Sequence, residues 1–307
     1  DRQLGIALGS SSSQTSRMLA ALEPVLAAEA PDAVLVYGDT NSTLAGALAG
    51  AQAQVPVAHV EAGMRSFDRT MPEELNRVLT DHASGLLLCS TEVAVDNLHR
   101  EAVAGRVELV GDVMVDVAMA IQPQARDRTD LVAARGLRPG EYLLATAHRA
   151  GNVDDPARLR RLVEVLTGLP LPVVLPLHPR TAARLQAAGL TERLASFPGV
   201  VLTDPLGYVE LTTLLCHARA AITDSGGLQK EAYLAGIPCI TLRPNTEWTE
   251  TVELGWNALV DLDLDRVLAA LERPVPTAPP PPVYGDGHAG ERVVAALTTL
   301  APTLVRP

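Results

Sequence analysis

The chain is poor in the features that mark several large classes of protein. It has only three cysteines, Cys89, Cys216 and Cys239, which lie far apart and each within an apolar run. This pattern is typical of buried thiols in a reducing compartment, and it favours neither a disulfide framework nor a zinc site. No other part of the sequence resembles a metal-binding site. We therefore expect a cytoplasmic protein without a bound metal.

Positive charge and long apolar runs are also scarce. Lysine and arginine number 25 against 36 acidic residues, so the net charge is −11. That balance argues against a nucleic-acid partner held by bulk electrostatics, although a few local cations can still bind one phosphate group. No run reaches the roughly 18 apolar residues of a membrane span, so we expect no membrane partner. The Gly-rich fingerprints of P-loop and dinucleotide sites are missing too.

The chain does contain a regular alternation of strand-like and helix-like segments. Short apolar runs rich in β-branched residues predict buried parallel strands, and helical patterns separate them. In the first part these runs are DAVLVYG (32–38), VPVAHVEA (55–62), GLLLCST (85–91) and RVELVGD (106–112). The alternation restarts at YLLATAH (142–148) and continues to PCITLR (238–243). The pattern predicts an α/β protein with two doubly wound parallel sheets.

The predicted domains are residues 1–118 and 119–288, followed by a last helix within 289–307. A Pro-rich connector at 273–287 precedes that helix. The chain begins without the buried strand that usually opens an α/β domain. We therefore expect part of the first domain to lie outside this sequence.

The most polar segment, HVEAGMRSFDRTMPEELNR (59–77), begins inside a predicted strand. Ligands of open α/β sheets bind at the carboxyl ends of the strands, so this segment predicts a site. Glu61 sits beside Gly63, which permits close approach of a ligand. The alternative for Glu61 is an ion pair with Arg65.

Two further positions extend this group of acids. Asp39 follows the preceding predicted strand, and its alternative role is to cap the helix expected to start at Asn41 or Ser42. Glu73 and Glu74 both lie in the first turn of the helix opened by Pro72, and the residues alone do not choose between them. Carboxylates that converge on one site raise one another's pKa values, which suits proton transfer near neutral pH.

The second domain offers a candidate phosphate site. TDSGGLQKEA (223–232) reads as a strand, a tight turn and a helix start, whose backbone N–H groups form an anion site. Glu231, one turn into that helix, could accept hydrogen bonds from a ribose diol. Further candidates for nucleotide or sugar contact follow other strands: His148, Arg149, His178, Arg180, Arg243, Thr246 and Glu247.

Taken together these stretches resemble the non-hydrolysing UDP-N-acetylglucosamine 2-epimerase family. The motifs occur in order along nearly the whole chain: VYGDTNSTLA, PVAHVEAGMRSFDRTMPEELNR, VGDVMVD, TAHRAGN, LPLHPRT, TDSGGLQKEA, LRPNTEW and YGDG. The resemblance implies the GT-B architecture, with two Rossmann-like domains facing a central cleft, usually as a homodimer. It also implies that the last helix returns to the first domain.

The family's chemistry implies a role for each matched residue. Its members eliminate UDP to leave a 2-acetamidoglucal, and they re-add UDP after protonating C2 on the other face, without an external cofactor. By resemblance Asp39, Glu61 and Glu73 are the catalytic acids and bases, which selects Glu73 over Glu74. His148 matches the histidine that assists departure of UDP, with Arg149 beside it. The matched UDP-binding positions are His178, Ser225, Gly226, Gly227 and Glu231.

The sequence departs from the family pattern at several points. The family's opening GTRPE loop has no counterpart, HRAGN replaces HRREN or HREN, and Lys230 stands where QEE is common. These changes leave the sugar open, since related enzymes act on 2,3-diacetamido uronic acid nucleotides. The alternatives are a hydrolysing epimerase that releases free N-acetylmannosamine, an epimerase of a related UDP-2-acetamido sugar, a GT-B glycosyltransferase and a nucleotide-sugar binding protein.

Overall fold

The computed structural model describes residues 2–6 and 8–300. The first part of the chain forms α1 (Ser11–Glu29), β1 (Val34–Tyr37), α2 (Asn41–Gln52), β2 (Val57–Ala62), α3 (Pro72–Ala83), β3 (Leu86–Cys89), α4 (Glu92–Arg100), β4 (Arg106–Leu109) and α5 (Val113–Asp127). The rest forms α6 (Thr129–Ala133), β5 (Leu143–Thr146), α7 (Ala150–Val153), α8 (Pro156–Thr167), β6 (Val173–Pro176), α9 (Pro179–Ala187), α10 (Thr191–Ala195), β7 (Val200–Thr203), α11 (Tyr208–His217), β8 (Ala220–Thr223), α12 (Gly226–Ala235), β9 (Cys239–Thr241), α13 (Thr249–Glu253), β10 (Asn257–Leu259), α14 (Leu264–Leu271) and α15 (Ala289–Thr298). None of the helices in the described ranges combines the length with the apolar character of a membrane span.

The chain divides into two compact units, each with its own parallel sheet. Unit 1 comprises 1–116 and 282–307, and unit 2 comprises 117–281. The sheet of unit 1 has the order β1-β2-β3-β4, and that of unit 2 has the order β10-β9-β8-β5-β6-β7. The prediction of an α/β protein with two parallel-sheet domains is confirmed. The reversal that defines a doubly wound sheet lies in unit 2, between β5 and β8.

The predicted strands and helices are present, with shifted ends. The strands predicted over 32–38 and 142–148 are shorter, Val34–Tyr37 and Leu143–Thr146. β10 and α14 had no counterpart among the predicted elements. The N-cap of α2 is Thr40 rather than Asn41 or Ser42, because the Thr40 and Thr43 side chains each accept from the other's backbone N–H. This capping box also removes the alternative that Asp39 caps the helix.

Apolar packing on both faces of each sheet accounts for the strands. In unit 1 all four residues of β3 are fully buried, and β2 and β3 pack with Val293 and Ala296 of α15. The Asp116 carboxylate accepts hydrogen bonds from the backbone N–H groups of Ala289 and Gly290, which satisfies the start of α15. α15 is therefore part of the core of unit 1.

Helix α3 departs from the usual amphipathic arrangement. Several of its polar side chains are buried and its leucines are not: Leu75 is 57% and Leu79 41% exposed, whereas Glu74, Arg77 and Asp81 are at most 2% exposed. Buried charges require partners, because an unpaired charge is destabilising away from water. The polar face of α3 therefore indicates where in unit 1 a functional site lies.

Candidate functional site

Glu61 occupies a strained position at the carboxyl end of β2. Its φ is +71°, in the left-handed region that residues other than glycine rarely adopt. The register with β3 shifts between Val60 and Ala62, so Glu61 is the extra residue of a β-bulge. Bulges re-aim a side chain and are common beside active sites. Glu61 is also the only residue of β2 that is not fully buried.

Asp39 lies at the end of the neighbouring strand β1, close to Glu61. A Cβ atom built on Gly38 would lie 3.4 Å from Oε2 of Glu61. Helix α3 approaches the same strand end: Arg77 Nη2 donates to Asp39 Oδ2 at 2.5 Å, and Asn76 Nδ2 donates to the Asp39 carbonyl at 3.0 Å. The ends of β1 and β2 and one face of α3 thus converge around Asp39.

The two neighbouring glutamates of α3 have different environments. The Glu74 carboxylate is 2% exposed and accepts hydrogen bonds from Ser66 N and Oγ, from Phe67 N and from Arg77 Nη1. It therefore fastens the 63–71 loop to the helix. Glu73 is half-buried, and no hydrogen bond or ion pair joins its carboxylate to another residue within 2–6 and 8–300. Because Asn76 and Arg77 follow Glu73 by three and four positions, Glu73 lies on the helix face that approaches Asp39.

A charge network that the sequence did not reveal joins α3 to β2, and its members are buried except for Glu101, whose side chain is 30% exposed. Asp81 Oδ1 contacts His59 Nδ1 at 2.7 Å, and Asp81 Oδ2 accepts from Arg65 Nη1 at 2.7 Å. Arg65 also forms a two-point contact with Glu101, at 2.8 and 2.6 Å. The guanidinium of Arg65 thus pairs with these two carboxylates. The sequence did contain one indication for Asp81. It follows Arg77 by four residues and Glu74 by seven, a spacing that places all three on one face of a helix.

In unit 2 the candidate residues gather at the switch point between β5 and β8. Asp224 follows β8 and is fully buried, and its carboxylate accepts from the backbone N–H groups of His148 and Arg149 at 3.0 to 3.1 Å. It also accepts from Asn152 Nδ2 at 3.1 Å. Asp224 therefore fixes the loop that follows β5. Ligands of doubly wound sheets bind outside this position.

His148 and His178 form a stacked pair, with ring centroids 5.0 Å apart. Nδ1 of His178 accepts from the backbone N–H of Arg180, which leaves Nε2 as the nitrogen that carries hydrogen in the neutral ring. Burial lowers the pKa of His148, as do the nearby His178, Arg149 and Arg180, while Asp224 acts in the opposite direction. The His148 ring is therefore neutral near pH 7 in the free protein.

The first turn of α12 has backbone N–H groups without an acceptor inside the helix, and its second residue, Gly227, is exposed. Ser225 is the N-cap, and its hydroxyl accepts from Leu228 N. Gly226 is buried, and a Cβ atom there would lie 2.3 Å from Oε1 of Glu247. Gly227 is exposed, and a Cβ atom there would meet only the Ser225 hydroxyl, at 3.9 Å. The open side of this helix end suits an anion such as a phosphate.

Glu231, one turn further along α12, has an unusual acidity. Burial raises its pKa to about 7, against the opposing effects of Lys230 and of a hydrogen bond with Tyr208. A carboxyl group that titrates near neutral pH responds readily to a ligand that donates hydrogen bonds to it.

The loop after β9 holds the remaining candidates. Glu247 lies between two arginines, with Arg243 Nη2 at 3.0 Å and Arg149 Nη2 at 3.5 Å. The Thr246 hydroxyl donates to Gln229 Oε1 at 2.6 Å and accepts from Trp248 N at 3.1 Å. Thr246 thus uses its hydroxyl inside unit 2, which gives it less support as a ligand contact than Arg149 or Arg243.

These two groups of residues are suited to different tasks. Unit 1 gathers carboxylates at the ends of β1 and β2 and on α3, an arrangement that can move protons. Unit 2 gathers a helix N-terminus, two histidines and arginines, an arrangement that can bind a diphosphate. Among the described residues, no cluster of three or more His, Cys, Asp or Glu side chains is arranged to hold a metal ion.

Comparison with known proteins relates both groups to one family. The family profile described as UDP-N-acetylglucosamine 2-epimerase matches residues 1–298. The UDP-2,3-diacetamido-2,3-dideoxy-D-glucuronate 2-epimerase of Pseudomonas aeruginosa is 44% identical over 98% of this chain and 84% of its own length. The UDP-N-acetylglucosamine 2-epimerase of Methanocaldococcus jannaschii is 41% identical, over 96% of this chain and 83% of its own length.

Solved structures agree with this assignment. The M. jannaschii UDP-GlcNAc 2-epimerase, in complex with UDP-GlcNAc and UDP, superposes with a TM-score of 0.88 at 41% identity, covering 96% of this chain and 83% of that one. The Neisseria meningitidis UDP-GlcNAc 2-epimerase bound to UDP-GlcNAc gives a TM-score of 0.81 at 27% identity, covering 94% and 82%. The GT-B fold class expected from the sequence is thereby confirmed. The chain belongs to the UDP-N-acetylglucosamine 2-epimerase family and is an isomerase.

Proposed function

We propose that this protein interconverts UDP-GlcNAc and UDP-ManNAc without releasing the sugar. The observation that carries the proposal is the convergence of Asp39, Glu61 and the first turn of α3 at the ends of β1 and β2. Inversion at C2 needs a proton carrier on each face of the sugar, and a single carboxylate cannot serve both. A glycosyltransferase of the same fold class has no such need.

The proposed reaction runs through elimination. One carboxylate of unit 1 takes the C2 proton, the C1=C2 double bond forms, and the C1–O bond breaks with its electron pair leaving on UDP. A second carboxylate then delivers a proton to the opposite face of C2, and UDP oxygen adds back to C1. We assign the proton carriers to Asp39, Glu61 and Glu73. No external cofactor takes part.

Unit 2 holds the UDP portion in this proposal. The diphosphate binds at the open start of α12, at Ser225, Gly226 and Gly227, where N–H groups and the helix dipole stabilise the charge that develops on the leaving group. Four side chains assist it there: His148, Arg149, His178 and Arg243. Glu231 accepts hydrogen bonds from the ribose diol.

The test is NMR of UDP-GlcNAc with the enzyme in D2O. We expect deuterium to enter at C2, UDP-ManNAc to appear, and the UDP-sugar to remain intact. Accumulation of UDP with free N-acetylmannosamine would instead identify a hydrolysing epimerase. No reaction without an added sugar acceptor would favour a glycosyltransferase.

A second candidate substrate is UDP-2,3-diacetamido-2,3-dideoxy-D-glucuronate. It is favoured by the 44% identity to the P. aeruginosa enzyme that carries this name. Running the same NMR experiment with both sugars side by side distinguishes them, since the preferred substrate has the larger kcat/KM for C2 deuteration. We also propose a homodimer in the cytoplasm, which sedimentation equilibrium and cell fractionation test.

A further inference from the structure

The carboxylate of Asp81 contacts the chain on both sides of the Glu61 bulge. Oδ1 contacts His59 Nδ1 at 2.7 Å, two residues before Glu61, and Oδ2 accepts from Gly63 N at 3.2 Å, two residues after it. The carbonyl of Gly63 is held as well, by Asn97 Nδ2 at 3.0 Å. Each end of the strained segment 59–63 is thus fastened to a buried side chain.

His59 adds a contact to the neighbouring strand. Its Nε2 lies 2.8 Å from the carbonyl oxygen of Gly38, the residue before Asp39, and its side chain is fully buried. A carbonyl only accepts hydrogen bonds, so Nε2 of His59 is the donor to Gly38. The His59 ring thus bridges the Asp81 carboxyl group and the backbone of β1, with a hydrogen bond at each ring nitrogen.

We propose that Asp81 and His59 are positioning residues that set the direction of Glu61 and its separation from Asp39. The proposal rests on the roles proposed above for Glu61 and Asp39. Neither Asp81 nor His59 reaches solvent, so they act only through the backbone that they hold. A non-glycine residue at φ +71° persists only when its surroundings over-determine it, and these contacts supply that restraint.

Two oxygens of Asp81 are needed, which makes Asp81→Asn the decisive variant. An amide fills the same space but offers one acceptor, so it cannot accept from both His59 and Gly63. We expect kcat to fall about 10- to 100-fold, because a shift near 1 Å in a reacting group has that effect. KM and the Kd for UDP should stay within about twofold, since the proposed UDP contacts lie in unit 2.

Glu101→Gln is the matched control. Glu101 belongs to the same charge network, but its side chain is 30% exposed and its contacts are with Arg65 and His82 rather than with residues 59–63. We expect kcat to stay within about threefold of the unmodified enzyme even where the melting temperature falls. Equal losses of kcat in the two variants, or a loss that only follows the unfolded fraction, would overturn the proposal.

A second measurement does not depend on activity. In protein labelled with ¹⁵N-histidine, His59 should show a ring N–H signal that exchanges slowly with water, because the side chain is fully buried and hydrogen-bonded at both nitrogens, and His59→Gln identifies the signal by its disappearance. A His59 ring N–H that exchanges as fast as that of the exposed His82 would contradict these contacts. If Asp81→Asn fails to fold, His59→Gln replaces it in the kinetic test. The glutamine amide has one donor nitrogen on a flexible chain, so it does not reproduce the two contacts of the His59 ring. A slowly exchanging ring N–H of His59 in an enzyme without C2 exchange would refute the proposed function and leave the Asp81–His59 contact standing.

Discussion

At the scale of single residues, Glu73 and Glu74 should separate activity from stability. Glu73→Gln is expected to lower the rate of C2 deuteration by about 10²- to 10⁴-fold, the usual contribution of a proton carrier, with little change in unfolding free energy. Glu74→Gln is expected to lower the unfolding free energy by about 1–3 kcal/mol, because it removes the charge that pairs with Arg77 and disturbs the bonds to Ser66 and Phe67.

Denaturant unfolding and the NMR assay on both variants check this pair. A large stability loss in Glu73→Gln, or an inactive but fully stable Glu74→Gln, would reverse the assignment between the two glutamates.

The raised pKa of Glu231 predicts a pH dependence of UDP binding. Burial raises this pKa to about 7. Below that pH the carboxyl group is neutral and is a poorer acceptor for the ribose hydroxyls, so UDP affinity should fall as the pH is lowered through 7, by at most about tenfold per pH unit. Calorimetric titrations of UDP binding between pH 5.5 and 8.5 measure this change in affinity.

The phosphate of UDP also changes its protonation near this range, so the same series on Glu231→Gln isolates the carboxyl group. We expect the variant to bind UDP more weakly at pH 8. It should also lose the part of the pH dependence that protonation of Glu231 causes. A profile unchanged by the substitution would remove Glu231 from the ribose site.

At the scale of elements, the start of α12 should respond differently to two adjacent substitutions. A Cβ atom at position 226 would lie 2.3 Å from the Glu247 carboxylate, whereas one at position 227 would meet only the Ser225 hydroxyl. We expect Gly226→Ala to lower the melting temperature by displacing Glu247 from Arg149 and Arg243. Gly227→Ala should leave the melting temperature unchanged or slightly higher, since alanine favours helix more than glycine does.

The same two variants test the anion site. If the diphosphate binds at the open start of α12, the methyl group of Gly227→Ala occupies that space and weakens UDP binding at least about tenfold. Calorimetry of UDP binding at fixed pH gives the answer. Unchanged affinity in Gly227→Ala would place the diphosphate elsewhere.

Helix α3 also shows where sequence patterns mislead. Its leucines at 75 and 79 are exposed and three of its charged residues are buried, the reverse of what hydropathy predicts for a helix on a sheet. The buried charges are tolerated because each has a partner on another element: Asp39 for Arg77, the 63–71 loop for Glu74 and His59 for Asp81. Those partners lie as many as 38 residues away, so local spacing could not identify them.

At the scale of the whole molecule, the alternation of strands and helices was predictable because apolar runs of strand length end at glycine or acidic residues. The location of Asp39, Glu61 and Ser225 at the ends of strands was predictable for the same reason, since each residue follows or ends such a run. The residues that fix the backbone around these positions were not predicted. Asp224 contacts His148 and Asp81 contacts His59, which lie 76 and 22 residues away along the chain, and only the folded chain brings them together.

The bulge at Glu61 has a consequence for protein engineering. A side chain at φ +71° destabilises the fold by roughly 1 kcal/mol, and glycine relieves that strain without disturbing the backbone. Directed evolution for heat resistance alone would therefore enrich Glu61→Gly and discard a proposed proton carrier in the same step. A selection for more stable variants therefore has to include an assay of turnover from the first round, because thermal stability and activity oppose each other at this position.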